Sequence, residues 1–271
     1  MRYRHKLVKS GGVWELFSYE KEVATGKDAV RENAGRKKQS DHDWVNDVEV
    51  KLKNRNDVLY RARKQVFNQA NANANAWGEQ VKFFTLTYAE NMKDIKKSNY
   101  NFKKFIQRLN YTLKIKLKYT AVIEFQKRGA IHYHLLVYNL PYTPVEVLAD
   151  IWGHGFVKIN KIDHVDNVGA YITKYMIKDN VDERLLGEKS YFSSRGLKKS
   201  EEYILTEKEK ETLLKSHDEY ISYSKSYDNE YLGNIHKVQI NLNRKVNSAI
   251  LTQKNWKYYG APILGALFYY C

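Results

Sequence analysis

The stretch at residues 121–137, AVIEFQKRGAIHYHLLV, restricts this chain more than any other. It consists of two apolar runs separated by a short polar break, Gln126-Lys127-Arg128-Gly129-Ala130. This pattern predicts two strands joined by a tight hairpin turn, the first over residues 119–125. Side chains alternate faces along a strand, so His132 and His134 point the same way. Glu124 lies eight residues before His132. If Lys127-Arg128-Gly129 is a three-residue loop with Gly129 in the left-handed conformation, Glu124 falls opposite His132 and all three side chains share a face. A two-residue loop would send Glu124 to the other face. Two imidazoles and a carboxylate on one face can hold a divalent metal and leave coordination positions open. The plainer reading is a half-buried hairpin with satisfied polar residues.

The chain has 271 residues, 43% of them hydrophobic and 14% aromatic, enough for a substantial core. Its net charge of +15 favours a polyanionic partner, nucleic acid before an anionic membrane surface. The one cysteine, Cys271, allows no disulfide framework within the chain and fits a reducing, cytoplasmic location. The opening MRYRHKLVKSGGVWELF lacks the apolar core of a secretory signal. The longest apolar stretch, residues 261–270, is too short to span a bilayer, so no membrane residence is expected. There is no G-x-x-x-x-G-K-[ST] phosphate loop.

Residues 1–54 are basic with scattered apolar anchors, and short strands are expected near 13–19 and 45–52. A helix is expected over 57–73, with Val58, Ala62, Val66 and Ala70 as its inner face. The Asn-Ala repeat at 71–76 reads as a connector. VKFFTLTY at 81–88 has the composition of a central strand. Ser98 is expected to cap a helix whose apolar residues Phe102, Phe105, Ile106 and Leu109 fall at i, i+3, i+4 and i+7. Thr143, Pro144 and Glu146 suggest a capping box opening a helix that Gly153 stops. A strand over 156–162 and a helix from Asp166 or Asn167 to about Lys178 follow. The fold class is thus α+β, with helices packed on an antiparallel sheet. Three segments are expected: a basic N-terminal extension at 1–76, a core at 77–187, and a C-terminal extension or small subdomain at 188–271. The last should hold a helix over 206–215, capped by Thr206 and Glu209, and an antiparallel pair at 219–227 and 235–242.

The helix around Tyr171 carries a second chemical pattern. Tyr171 and Tyr175 lie about 40° apart on one face, with Lys174 and Lys178 in a neighbouring row. Tyr-x-x-Lys therefore occurs twice, overlapping. A tyrosine phenolate is both a nucleophile and a good leaving group toward phosphodiesters, and a nearby ammonium can lower the phenol pKa and balance phosphate charge. In a chain with 22 tyrosines, such pairs also arise from ordinary packing.

Together these residues resemble the HUH endonucleases, and within them the rolling-circle replication initiators of plasmids and phages. The resemblance covers about residues 81–178. It rests on the strand Phe84-Thr85-Leu86-Thr87-Tyr88, on His132-Tyr133-His134 with Glu124 upstream, and on Tyr171 with Lys174. Tyr133 is bulkier than the aliphatic residue usual between the histidines. The resemblance implies a five-stranded antiparallel sheet flanked by helices, broadly like an RNA-recognition fold. It also implies one Mg²⁺ or Mn²⁺ ion on Glu124, His132 and His134. A tyrosine would attack single-stranded or hairpin origin DNA, leaving a 5′-phosphotyrosine and a free 3′-OH for the host helicase and polymerase. Tyr171 and Tyr175 together fit the two-tyrosine class, in which Lys174 and Lys178 would assist; a single active tyrosine is the alternative. Candidate DNA contacts are Thr85, Thr87, Lys127, Arg128, Arg61, Lys103, Lys104, Arg195 and Lys198. His154 and His164 read as loop histidines. A relaxase or single-strand transposase of the same superfamily, or a non-catalytic nucleic-acid-binding sheet, would share part of this pattern. Only the non-catalytic sheet would leave the three ligand residues free to point apart.

Overall fold

Runs of branched and aromatic residues become central strands when both faces of a sheet are covered. In the computed structural model, β5 (Ile131–Val137) is buried at all seven positions, and β4 (Tyr119–Phe125) at all but its first. The structure describes residues 1–25, 48–78, 81–176, 185 and 188–244, with the side chains of the first helix from residue 57 onward.

The chain divides into two compact units, Asn46–Lys199 and a second formed by Met1–Val45 with Ser200–Cys271. This division differs from boundaries at 76/77 and 187/188. The first helix, α1 (Val48–Asn73), packs into the core of the Asn46–Lys199 unit through Ala62, Val66 and Ala70. Residues 48–52, expected to lie in a strand, are its first turns.

The sheet of the Asn46–Lys199 unit contains β3 (Lys82–Thr87), β4, β5, β6 (Val157–Lys161) and β7 (Tyr191–Ser193). It is antiparallel, in the order β6-β3-β5-β4-β7, the five-stranded arrangement with flanking helices expected from the sequence. Alternation divides its side chains between two cores. Phe84, Leu86, Ile123, Tyr133 and Leu135 meet Phe102, Phe105, Ile106 and Leu109 of α2 (Ile95–Leu113) and Leu148 and Trp152 of α3 (Val145–Trp152). On the other face, Phe83, Val122 and Leu136 meet α1 and the Val168 and Ile172 side chains of α4 (Val168–Thr173). A 3₁₀ turn, Lys174–Met176, continues α4, and the expected extension to Lys178 lies outside the described residues.

Two caps differ from expectation. Asp94, rather than Ser98, caps α2, its carboxylate accepting from the Lys97 amide. Ser98 is buried inside that helix, hydrogen-bonded to the hydroxyls of Tyr88 and Tyr133. The α3 cap is Pro144 without a side-chain bond, because Thr143 donates instead to the Pro141 carbonyl. Asn167, by contrast, does cap α4.

In the other unit, β1 (Arg2–Ser10), β2 (Val13–Ala24), β8 (Glu201–Leu205), β9 (Ile221–Asn229) and β10 (Gly233–Asn241) form an antiparallel sheet ordered β8-β1-β2-β10-β9. Leu7, Leu16, Val238 and Ile240 form its core, against which Leu213 and Leu214 of α5 (Glu207–Ser216) pack. The Thr206/Glu209 capping box is present. No helix among the described residues is long and apolar enough to cross a membrane.

The Asn-Ala tract is a latch. The Asn71 amide donates to Asn167 Oδ1 at 3.0 Å, and its Oδ1 accepts from the Gly169 amide at 2.9 Å. Asn167 Oδ1 in turn accepts from Ala170 N–H. Asn73 bonds both the amide and the carbonyl of Lys198. The C-terminal end of α1 thereby fixes the start of the tyrosine helix through buried amide bonds. Replacing Asn71 leaves the Gly169 N–H buried without a partner. Asn71→Ala is therefore expected to cost about 1–3 kcal/mol in urea unfolding; an unchanged midpoint would remove the latch from the account.

Candidate metal centre and tyrosine pair

The hairpin decides which residues meet. Gln126 N–H donates to the Ala130 carbonyl at 2.8 Å, and Gly129 N–H to the Gln126 carbonyl at 2.7 Å. Gly129 has φ 86°, a left-handed conformation that closes a three-residue loop over 127–129 at little steric cost. The odd loop length sets the register, pairing Glu124 with His132 and Val122 with His134. On the opposite side of β5, Thr87 pairs with His132 and Thr85 with His134. Glu124, His132 and His134 therefore share one sheet face, as a three-residue loop requires.

All three are buried, and one ligand atom from each lies within 4.8 Å of the others. Glu124 Oε2 is 2.5 Å from His134 Nε2. His134 Nδ1 is 3.1 Å from Thr85 Oγ1, an outer hydrogen bond that fixes the ring and leaves Nε2 toward the carboxylate. Thr85 thus orients a histidine. His132 Nε2 is buried with no hydrogen-bond partner among the described residues. An orphaned imidazole nitrogen beside a carboxylate and a second imidazole suits a bound cation, which would satisfy it. Burial, reinforced by His134, lowers the His132 pKa to about 4, with Glu124 opposing the shift. The ring is therefore neutral, the form that ligates metals. Glu124, His132 and His134 form a buried group able to hold a metal ion.

The tyrosines border this group. The Tyr175 ring stacks on His134 with centroids 3.8 Å apart and on Phe83 at 5.4 Å. Tyr171 meets Phe83 edge-on at 4.9 Å and lies 6.2 Å from Tyr175. The Lys174 ammonium sits over both rings, 3.9 Å from the Tyr171 centroid and 5.0 Å from that of Tyr175. One cation thus serves both phenols through their π faces. The Tyr175 pKa is nevertheless raised, by burial first and then by Tyr171 and Glu124. A lysine-lowered phenol was the expectation, and burial outweighs it here. Lys178 lies outside the described residues.

The other candidates are dispersed. Thr87 is half-buried beside His132. Lys127 and Arg128 are exposed on the hairpin loop, where Arg128 Nε donates to Gln126 Oε1. Arg61 is exposed on α1. Lys103 and Lys104 are exposed on α2, which covers the opposite face of the sheet from the ligand group. Arg195 is exposed, and Lys198 is held by its backbone to Asn73. His154 packs with Trp152 and Tyr88, and His164 lies exposed beside Asp163. Asn71 and Asn167 are the positioning residues that sequence reading missed; amides within a small-residue helix end were the available signal.

Residues 81–180 match the family model described as Replication-associated protein ORF2. The matched segment holds Glu124, His132, His134, Tyr171 and Tyr175, and it supports a replication-associated protein that binds DNA. No curated protein and no solved structure gives a significant match.

The His132 shift has a sign that can be measured. In the unfolded chain the ring takes up a proton below its ordinary 6.5, whereas the folded ring resists until about 4. Its contribution to stability is thus complete above 6.5 and is lost as pH falls through 4. In chelator, the melting temperature of the wild type should fall relative to His132→Asn across that window. Parallel curves would contradict the depressed pKa.

Proposed function

We propose that this chain is a rolling-circle replication initiator that cuts and rejoins single-stranded DNA through a covalent phosphotyrosine. The observation that carries this reading is the convergence of Glu124, His132 and His134 with Tyr171 and Tyr175 beside one sheet face. A sheet that only bound nucleic acid would need no such convergence. Glu124, His132 and His134 would hold Mg²⁺ or Mn²⁺, which supplies Lewis-acid neutralisation of a non-bridging phosphate oxygen.

The remaining chemistry belongs to side chains. A tyrosine hydroxyl loses its proton and its oxygen attacks phosphorus. The new O–P bond forms as the P–O3′ bond breaks, and the departing O3′ gains a proton. The products are a 5′-phosphotyrosine and a 3′-OH that can prime synthesis by host enzymes. Lys174, over both rings, balances charge whichever phenol reacts. The second tyrosine can then accept a later strand, so that the two alternate. Lys127 and Arg128 on the exposed loop are the nearest proposed phosphate contacts on the hairpin that carries the ligands; Arg61, Arg195 and Lys198 lie further along the proposed path of the strand. The activity belongs in the cytoplasm, where origin DNA and replication enzymes are found.

Labelled single-stranded origin DNA with Mn²⁺ should give a covalent protein–DNA adduct on a denaturing gel. Tyr171→Phe/Tyr175→Phe should reduce it on the order of a thousandfold or more. Each single variant should retain part of the activity if both tyrosines act, whereas one single variant alone should abolish it if only one does. An adduct that persists in the double variant would contradict tyrosine chemistry.

A further inference from the structure

The sheet register lines up side chains in rows on the ligand-bearing face. One row is Thr87, His132 and Glu124; the next is Lys158, Thr85, His134 and Val122. The Thr87 N–H donates to the Phe156 carbonyl at 2.9 Å, extending the β3–β6 pairing by one step, so Phe156 heads the first row. Strands lie about 4.8 Å apart, which puts Phe156 about 10 Å from His132 along that row. This is the span of about three stacked nucleotides, and of fewer in an extended strand.

Phe156 is 74% exposed. A single exposed aromatic is ordinary by itself, but this one is fastened on both sides. The Ala89 N–H donates to the His154 carbonyl at 2.8 Å, and the Trp152 indole N–H donates to the Thr87 carbonyl at 3.1 Å. Between them, Gly155 adopts φ +146°, and a Cβ there would lie 2.4 Å from the Ala89 nitrogen and 2.5 Å from the Thr87 oxygen. Only glycine lets the backbone pass this close. Its conformation also breaks the alternation, sending His154 to Tyr88 and Trp152 while Phe156 keeps the parity of Lys158. The ring therefore stands on a rigid edge, since β6 has no further strand beside it among the described residues. Exposed Lys158 follows in the next row.

We propose that Phe156 is a stacking platform for a base of single-stranded DNA beside the phosphate at the ligand group, with Lys158 contacting the adjoining backbone. An exposed π face accepts any base, and a neighbouring ammonium on a chain of net charge +15 meets the phosphates. The inference rests on the proposed function for the position of that phosphate.

The test is binding of fluorescein-labelled oligothymidylate by the full chain, read by anisotropy in chelator so that no cleavage contributes. Phe156→Ala and Phe156→Leu should weaken binding about five- to a hundredfold, the range for loss of one stacked base. Phe156→Trp should bind within about threefold of wild type, and its added fluorescence should be quenched by the oligonucleotide. Thermal melts of each variant verify folding. Phe156→Leu binding as tightly as wild type, or no binding by wild type, overturns the inference. Weakened binding by folded variants of a protein that forms no metal-dependent adduct upholds the stacking role and overturns the proposed function alone. An adduct with undiminished Phe156→Leu binding does the reverse.

Discussion

The length of one hairpin loop governs the site. Because side chains alternate with a period of two, a one-residue change in register moves a whole strand's side chains to the opposite face. The loop at 127–129 is odd, and Gly129 makes it so by taking a backbone conformation costly to other residues. Glu124 consequently faces His132, and Thr85 reaches His134 from the other neighbouring strand. A loop shorter by one residue would keep both strands and their hydrophobic character yet take the carboxylate from the histidines.

The sheet around the loop gives these groups their chemical character. With both faces covered, the imidazoles sit in a dry environment where a neutral ring is favoured and an unpaired nitrogen is costly. Phe83 links the two halves of the site, stacking on His134 and Tyr175 and meeting Tyr171 edge-on. The ligand strands and the tyrosine helix are thus tied through shared aromatic contacts, while Asn71 and Asn167 anchor the start of that helix. Small displacements of α1 would reach the phenols through these bonds.

Local pattern made much of this legible in the sequence. The three-residue loop, the shared face of Glu124, His132 and His134, the apolar stripe of α2 and the spacing of Tyr171 and Tyr175 all depend on residues close together in the chain. What sequence could not supply depends on distant partners. Ser98 has the composition of a cap, but the hydroxyls of Tyr88 and Tyr133 draw it inside, and Asp94 takes the helix end. The Asn-Ala tract looked inert because its partners lie about a hundred residues onward, |i−j| being 96 and 98 for the two Asn71 bonds. The strands at the two ends of the chain similarly pair with one another rather than forming separate extensions. Burial of Tyr175 against His134, which reverses the expected effect of lysine on its pKa, also required the tertiary packing.

The most direct test of the central claim is a titration of Mn²⁺ into the protein followed by electron paramagnetic resonance. One ion per chain should bind, with nitrogen couplings from two histidines. His132→Ala should remove one coupling and weaken binding by about a hundredfold or more, since even outer partners of metal ligands are worth about ten- to a hundredfold. Binding without histidine nitrogen couplings, or undiminished in His132→Ala, would contradict the account.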